Sequence, residues 1–493
     1  MFRAALVVAV LVACNAAEGP GPGPAGAPSE VLVLPQGELE ADHRALEVYM
    51  LGRKVGDVRV DRERLADGGE RWRTRMLLAM TLDNPGAESM SAEMVEVEEF
   101  GADRKFIRGS ESMREKGVEE TVETRREGDQ MVVRMTGPAY DREHRVAIPA
   151  DFDDSVAVFA RLRGEVLAGA ALPRGATFSG FDASGLRFSP SSVTLLGRRR
   201  VGALEVWEVE EVDDEGQRLR SLYDDGGMLL RSEFGVMLVT LAGTTAPAAD
   251  VEAKLSSYLS IVGRIDAAAD PLVVTVEVAG DDPAAPAIFR DSAYQTVQRA
   301  GGVYTLTVQA VRGRGLPART LPLTEVPAEV RVHLDATAVS QSDDAAIVAR
   351  AREIVGGQTD ARVVAEAIVD WVHAHTEKRD GSRGAATAVE TLTAGHGDCT
   401  EHTALAVALL RAAGLPARNA AGIVLVPGQK RDEAGYHAWV EVWLGDWVVM
   451  DPALGDTYVR PRYLLLGHEE PGLLDGGAEL SRLIGRTTIR AGS

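Results

Sequence analysis

The feature that most constrains this chain is a change in the spacing of its apolar residues near residue 340. Before it, Val55–Val60, Met94–Glu98 and Val118–Val122 alternate, or nearly alternate, apolar and polar residues, with Gly-, Asp- and Asn-rich turns between such segments. Alternation sends successive side chains to opposite faces of a strand, so this region predicts a sheet with one wet, charged face. After it, residues 343–355 and 359–376 show helical periodicity, the second with a Thr359 or Asp360 cap and apolar Val363, Val364, Ala367, Ile368 and Trp371. A further helix is expected from Cys399 through Leu410, ending at Gly414 ahead of Pro416, and strands are expected at 421–426, 437–444 and 447–451. Helices before, strands after and a cysteine at a helix start describe an α+β domain. The fold class is therefore multidomain, a β-rich N-terminal region followed by a C-terminal α+β domain, and a length of 493 residues fits two to four domains.

Within the β-rich region one stretch, Asp154 to Leu172, has helical spacing behind an Asp or Ser cap. Residues 272–278 and 304–310 alternate again. The expected boundaries are a β-rich domain of unassigned role at 37–265, a small β-rich domain or flank at 266–340, the α+β domain at 341–470 and a C-terminal tail at 471–493.

The N-terminus has a single early positive charge, Arg3, an apolar run from Ala4 to Ala13, and then Cys14. That run is too short to span a bilayer. Leu11-Val12-Ala13-Cys14 resembles the lipobox of bacterial lipoproteins, and the resemblance implies a signal peptide over 1–14, cleavage before Cys14 and lipidation of its thiol. An ordinary secretory signal is the alternative. Residues 15–29 lack the apolar content to pack and alternate Gly with Pro from Gly19, and 15–36 read as a flexible tether. The expected location is the bacterial cell envelope, lipid-anchored on the extracytoplasmic side (periplasmic or outer membrane), with the membrane as a partner through Cys14.

A formal net charge of -21 argues against nucleic acid as a partner, because phosphate binding needs basic patches. The chain has two cysteines; with Cys14 lipidated, Cys399 is left as a free thiol without a disulfide framework. It sits in Gly397-Asp398-Cys399-Thr400-Glu401, ahead of His437-Ala438-Trp439 and Asp451-Pro452. A thiol at a helix start sees unpaired backbone N–H groups and the positive end of the helix dipole, which favour thiolate. Asp398 and Glu401 would oppose that if they pointed at the sulfur, and are expected to cap the helix or face solvent. His437 can share the proton, and Asp451, at the end of the next strand, can reach the far imidazole nitrogen. The backbone N–H of Cys399 is an oxyanion donor, with Trp371 as a weak candidate for the second. Asp451 before Pro452 could instead only begin a turn, and Trp439, Trp443 and Trp447 fit strand packing better than an acyl cleft.

The run GDCTEHTALAVALLRAAGLPAR, then HAWVEVW, then WVVMDP closely resembles the transglutaminase-like core, which is related to papain-type cysteine peptidases, over about 343–467. The resemblance implies a catalytic Cys-His-Asp triad at Cys399, His437 and Asp451, acting on a peptide bond or a glutamine carboxamide through a thioester. No cofactor is expected, and no metal: His373, His375, His396 and His402 lack a recognisable ligand spacing, and no acidic loop suggests calcium. The partner is then a protein or peptide substrate. The rival expectation is a non-catalytic binding or scaffolding lipoprotein that keeps this fold for protein recognition.

Overall fold

The computed structural model describes residues 34, 39–50, 53–80, 90–115, 118–137, 140–183, 186–213, 218–234, 237–243, 258–266, 268–281, 287–311, 315–337, 339–378, 387–428, 432–457, 460–468, 483 and 486–491. Cys14, the apolar run before it and the Gly/Pro stretch after it lie outside the described residues. Among the described residues no helix is long and apolar enough to cross a membrane. The chain divides into two units at residues 254/255.

The first unit is one 14-stranded sheet. Its first meander is β1 (His43–Met50), β2 (Arg53–Arg64), β3 (Glu70–Met80), β4 (Met90–Phe100), β5 (Phe106–Glu115), β6 (Val118–Glu127), β7 (Gln130–Gly137) and β8 (Tyr140–Ala147). Helix α1 (Ser155–Leu167) follows, capped by Asp154, whose carboxylate accepts from the Val156 N–H at 2.8 Å. The second meander is β9 (Arg174–Asp182), β10 (Arg187–Val201), β11 (Leu204–Val212), β12 (Arg218–Asp224), β13 (Leu229–Phe234) and β14 (Met237–Leu241), and β14 pairs with β1. β8 and β9 are thus the two edges. The chain just past β8 bonds to β9, with Ser179 N–H on the Asp151 carbonyl at 3.1 Å and Asp153 N–H on the Ser179 carbonyl at 3.3 Å. That closure covers edges that would otherwise present open hydrogen-bonding groups.

The alternation read from the sequence sorts the two faces. Val58, Val60, Trp72, Met76 and Met94 are buried on one, against a core that α1 joins through Val158, Phe159 and Leu162. The other carries ion pairs such as Arg71–Glu99 and Arg108–Glu99, both 2.7 Å, and Arg125–Glu143 at 2.9 Å. Glu99 is buried beneath its two arginines, whereas a pair exposed on both sides, such as Arg125–Glu143, contributes little stability.

The second unit combines a nine-stranded sheet with helices. Strands β15 (Tyr258–Val262), β16 (Leu272–Val278), β17 (Gln295–Ala300) and β18 (Val303–Val308) come first, then short α2 (Ala328–Arg331), α3 (Ala345–Val355), α4 (Ala361–His375), β19 (Glu377–Lys378), α5 (Ala388–Ala394), β20 (His396–Gly397), α6 (Cys399–Ala412), β21 (Ala417–Val426), β22 (Glu433–Trp443), β23 (Trp447–Met450), β24 (Tyr463–Gly467) and β25 (Thr487–Ala491). The sheet order is β17-β18-β16-β25-β15-β22-β21-β24, with β23 on β22. Strands from 266–340 therefore share a sheet with β21 and β22. Within 471–493, read as a tail, β25 inserts between β15 and β16, because alternation in Thr-Thr-Ile-Arg-Ala buries Ile489 completely. Helix α6 lies in a core of Leu405 to Leu410 with Ile368, Val369 and Val372 of α4 and Val440, Val442, Val448 and Met450 of the sheet.

Glu441 of β22 fastens this sheet. Its fully buried carboxylate accepts from Arg418 Nε at 2.8 Å and Nη2 at 2.7 Å, from His468 Nε2 at 2.9 Å and from the Tyr294 hydroxyl at 2.8 Å. Burial alone would raise its pKa, but His468 and Arg418 outweigh it and hold the carboxyl down at about 2. A folded pKa below the unfolded value of about 4.3 stabilises the fold above that pH, and the contribution fades as pH falls towards 2. Arg418→Met, which strands a buried charge, should cost about 3–5 kcal/mol in urea unfolding at pH 7 and less at pH 3; equal stability of variant and parent at both pH values would refute this role.

Candidate active site

The start of α6 is shaped by a reciprocal cap. The Asp398 side chain accepts from the Thr400 N–H at 2.8 Å, and Glu401 reaches back to the Asp398 N–H at 2.6 Å. Gly397 is required there: a Cβ would lie 2.4 Å from that of Glu401. Both acids cap the helix, as one expectation had it, but they are buried rather than facing solvent. Burial, with Glu401 and Cys399 as neighbouring negative groups, pushes the Asp398 carboxyl well above the ordinary carboxylate range. His402, one turn on, bridges the carbonyls of Asp398 at 2.6 Å and Thr376 at 3.0 Å, tying the start of α6 to the end of α4.

Cys399 itself is 3% exposed and hydrogen-bonds His437, which is 8% exposed. His437 Nε2 lies 2.7 Å from Asp451 Oδ2. A carboxylate can only accept, so Nε2 carries the proton, and Nδ1 is the nitrogen left for the sulfur. Strand pairing explains the meeting. Val440 opposes Met450 and Glu441 opposes Val449, so continuing the ladder sets Asp451 diagonal to His437 on the same face. The three residues singled out in the sequence thus come together.

Asp451 is fully buried and all of its acceptor capacity is used. Oδ1 accepts from the Ala453 and Leu454 N–H groups, both at 3.0 Å; Oδ2 accepts from His437 and from the Tyr463 hydroxyl, both at 2.7 Å. The contact with the turn and the contact with His437 are thus the two ends of one side chain. Burial works to raise its pKa, but His437, Tyr463 and Leu454 bring it below the ordinary value. Burial likewise works to lower that of His437, but Asp451 and then Cys399 raise it to about 10. The imidazole therefore holds its second proton through neutral pH.

Several supporting residues had no sequence signal of their own. Tyr463 comes from β24, which reaches the site through its pairing with β21. Gly422 of β21 stands opposite His437, and a Cβ there would meet the Leu464 carbonyl at 2.0 Å and the Trp439 ring at 2.7 Å. Trp439 is wholly buried, its ring centre 5.1 Å from that of Tyr463, and Trp443 packs edge-on to Trp447, so the tryptophans of β22 and β23 serve packing. His373 holds the Pro452 carbonyl at 3.2 Å, clamping the turn after Asp451 to α4. His375 bonds the Trp371 carbonyl and stacks on its ring, with Arg350 5.0 Å from the ring centre, and nothing in these contacts supports Trp371 as an oxyanion donor.

A family model of the transglutaminase-like superfamily matches residues 348–452, a span containing Cys399, His437 and Asp451. Among solved structures, the chain is similar to a candidate cysteine protease from Cytophaga hutchinsonii at 16% identity and a TM-score of 0.32, over 48% of this chain and 83% of that one. It is similar to a β-barrel-like protein containing a domain of unknown function from Brucella abortus at 15% identity and a TM-score of 0.33, over 41% and 94%. A candidate protease from Parabacteroides distasonis matches at 11% identity and a TM-score of 0.18, over 80% and 69%. None of the curated proteins compared with the chain matches it.

Tyr463→Phe tests the support of the carboxylate. Losing one donor to a buried charge should cost about 1.5–3 kcal/mol of stability and raise the pKa of Asp451, read from its carboxyl resonance in an NMR titration. An unmoved resonance in a folded variant would remove Tyr463 from this role.

Proposed function

Residues 348–452 form a transglutaminase-like domain, and on that footing we propose that the protein is a cysteine enzyme acting on peptide bonds or glutamine carboxamides. The observation that carries the reading is the buried chain of contacts from Cys399 through His437 to Asp451, closed by the 2.7 Å bond. An imidazolium kept charged to about pH 10 and the start of α6 both favour a thiolate at Cys399.

In the proposed cycle, Cys399 Sγ attacks the carbonyl carbon, and the backbone N–H of Cys399, the first-turn N–H of α6 that the cap leaves over, receives the developing oxyanion. His437 gives its proton to the leaving nitrogen, so ammonia or an amine departs and a thioester to Cys399 remains. His437, now neutral, takes a proton from water or a second amine as that group attacks the thioester. Hydrolysis and amine transfer differ only in which of these arrives; bacterial members of the superfamily tilt the reading to hydrolysis. Asp451 keeps Nδ1 aimed at the sulfur throughout. We further propose, from the lipobox-like Leu11–Cys14, that the enzyme is anchored through lipidated Cys14 in the cell envelope.

Iodoacetamide alkylation of Cys399 across pH 5–10 provides the test. The parent should react well below the free-thiol pKa of about 8.5, and His437→Ala should return the profile to that value. Cys399→Ala should abolish turnover of peptide and carboxamide substrates, and Asp451→Asn should lower it by about 10⁴-fold. Slow alkylation that ignores His437 in a folded chain would favour the non-catalytic, protein-binding alternative instead.

A further inference from the structure

The N–H that the proposed cycle gives to the oxyanion belongs to the Asp398–Cys399 peptide. That unit is planar, so fixing its carbonyl oxygen fixes the direction of the N–H on its other side. Asp398 is the N-cap, with φ -93° and ψ -159°, and the helix ladder reaches this peptide only through its oxygen, which accepts from the His402 N–H at 3.1 Å. The His402 side chain adds a second and shorter bond, with Nδ1 2.6 Å from the same oxygen. A carbonyl only accepts, so Nδ1 is the donor.

The ring is itself held in place. His402 is 1% exposed, its Nε2 faces the Thr376 carbonyl at 3.0 Å, and the Thr376 N–H bonds the Val372 carbonyl at 2.9 Å at the end of α4. The residues after Thr376 are tied to the same place, since β19 pairs with β20, the two residues before Asp398. Thr403, next along α6 and fully buried, treats the following peptide alike, its hydroxyl donating to the Cys399 carbonyl at 2.7 Å. Both peptide units that meet at Cys399 are thus gripped by side chains one turn on. Burial matters here, because a hydrogen bond shielded from water polarises its partner amide more than an exposed one does.

We propose that His402 is a positioning residue for the oxyanion: by donating to the Asp398 carbonyl it sets the plane of the Asp398–Cys399 peptide and polarises it, so that the Cys399 N–H is aimed before the substrate arrives. Donors already in place stabilise an oxyanion better than donors that must turn to meet it. In this scheme His402 acts through the peptide rather than on the sulfur or the substrate. The inference rests on the acyl chemistry proposed for Cys399 and adds the residue that prepares its oxyanion donor.

Two reactions of the full chain separate this role from a general structural one, with Cys399→Ala as the blank. Alkylation by iodoacetamide reads thiolate formation and passes through no oxyanion. Acetylation by p-nitrophenyl acetate does pass through one: Sγ attacks the acetyl carbonyl, p-nitrophenolate leaves, and an acetyl thioester remains. His402→Gln, whose amide can replace Nε2 at the Thr376 carbonyl but not Nδ1 at that of Asp398, should slow the p-nitrophenolate burst by about tenfold or more, within the about 10²–10³-fold that a whole oxyanion donor is worth. Its alkylation profile should stay at the parent's. His402→Asn, whose amide stands in for Nδ1, should restore most of the burst, and thermal unfolding checks that both variants fold. A parent-like burst in folded His402→Gln, equal bursts in the two variants, burst and alkylation falling together, or an activated parent thiol that gives no burst would each overturn the inference. A parent alkylated only near the free-thiol pKa of about 8.5 would instead sink the reading of Cys399 as an activated nucleophile, and this inference with it.

Discussion

The arrangement of the second unit depends on keeping the Asp451 carboxylate charged where water does not reach it. An unpaired buried charge would be destabilising by several kcal/mol, so each lone-pair direction must meet a donor. The four donors come from different parts of the fold: Ala453 and Leu454 from the turn, His437 from β22 and Tyr463 from β24. Satisfying them together sets the register of β22, β23 and β24 around β21 and fixes how the turn after β23 closes. His373 holds that turn from α4, and Gly422 lets β24 and Trp439 come close to the strand opposite His437. A carboxylate placed for its effect on an imidazole thus organises the sheet as well.

Glu441, four residues along the same strand, repeats this logic with a different outcome. Its partners Arg418 and His468 are cationic or basic groups that saturate it, and no thiol lies in the network. One buried carboxylate on this face fastens β22 to its neighbours, while the other tunes a titratable ring. The difference lies in what each partner touches next: His437 continues to Cys399, whereas Arg418 continues to the face of Trp447, 3.9 Å from its ring centre.

What was legible in the sequence was local. Caps announced α1 and α4, because Asp154 and Asp360 each accept from backbone N–H groups two or three residues on, whereas α3 was announced by its periodicity alone and its cap, Asp344, was not singled out. The order of Cys399, His437 and Asp451 was legible because Cys399 begins a helix, His437 lies in a strand and Asp451 follows one, all elements with a strong periodicity. α5 was legible too but was passed over: Thr387 and Glu390 form a reciprocal cap with the same spacing as Asp398 and Glu401, on a helix too short for periodicity to flag. Tyr463, Gly422 and His373 were not legible, since their roles arise from pairing across β21 and from contact between α4 and a turn some eighty residues later. β25 was hidden for the same reason, being a five-residue strand whose two neighbours lie more than 200 residues upstream.

The charges around Cys399 explain how acidic neighbours can sit beside a proposed nucleophilic thiol. Asp398 and Glu401 are drawn there by the helix start, where backbone N–H groups need acceptors, yet two buried anions beside the sulfur would disfavour a thiolate. Burial, Glu401 and Cys399 hold the Asp398 carboxyl well above the ordinary range, which weakens its hold on a negative charge, while His437, held up to about 10, supplies a positive charge at the sulfur. With sulfur and imidazole both more than nine-tenths buried, their attraction is little screened by solvent or salt. On the proposed cycle the same burial limits approach to the thioester, so access of water relative to amine becomes the variable that separates a hydrolase from a transferase built on these residues.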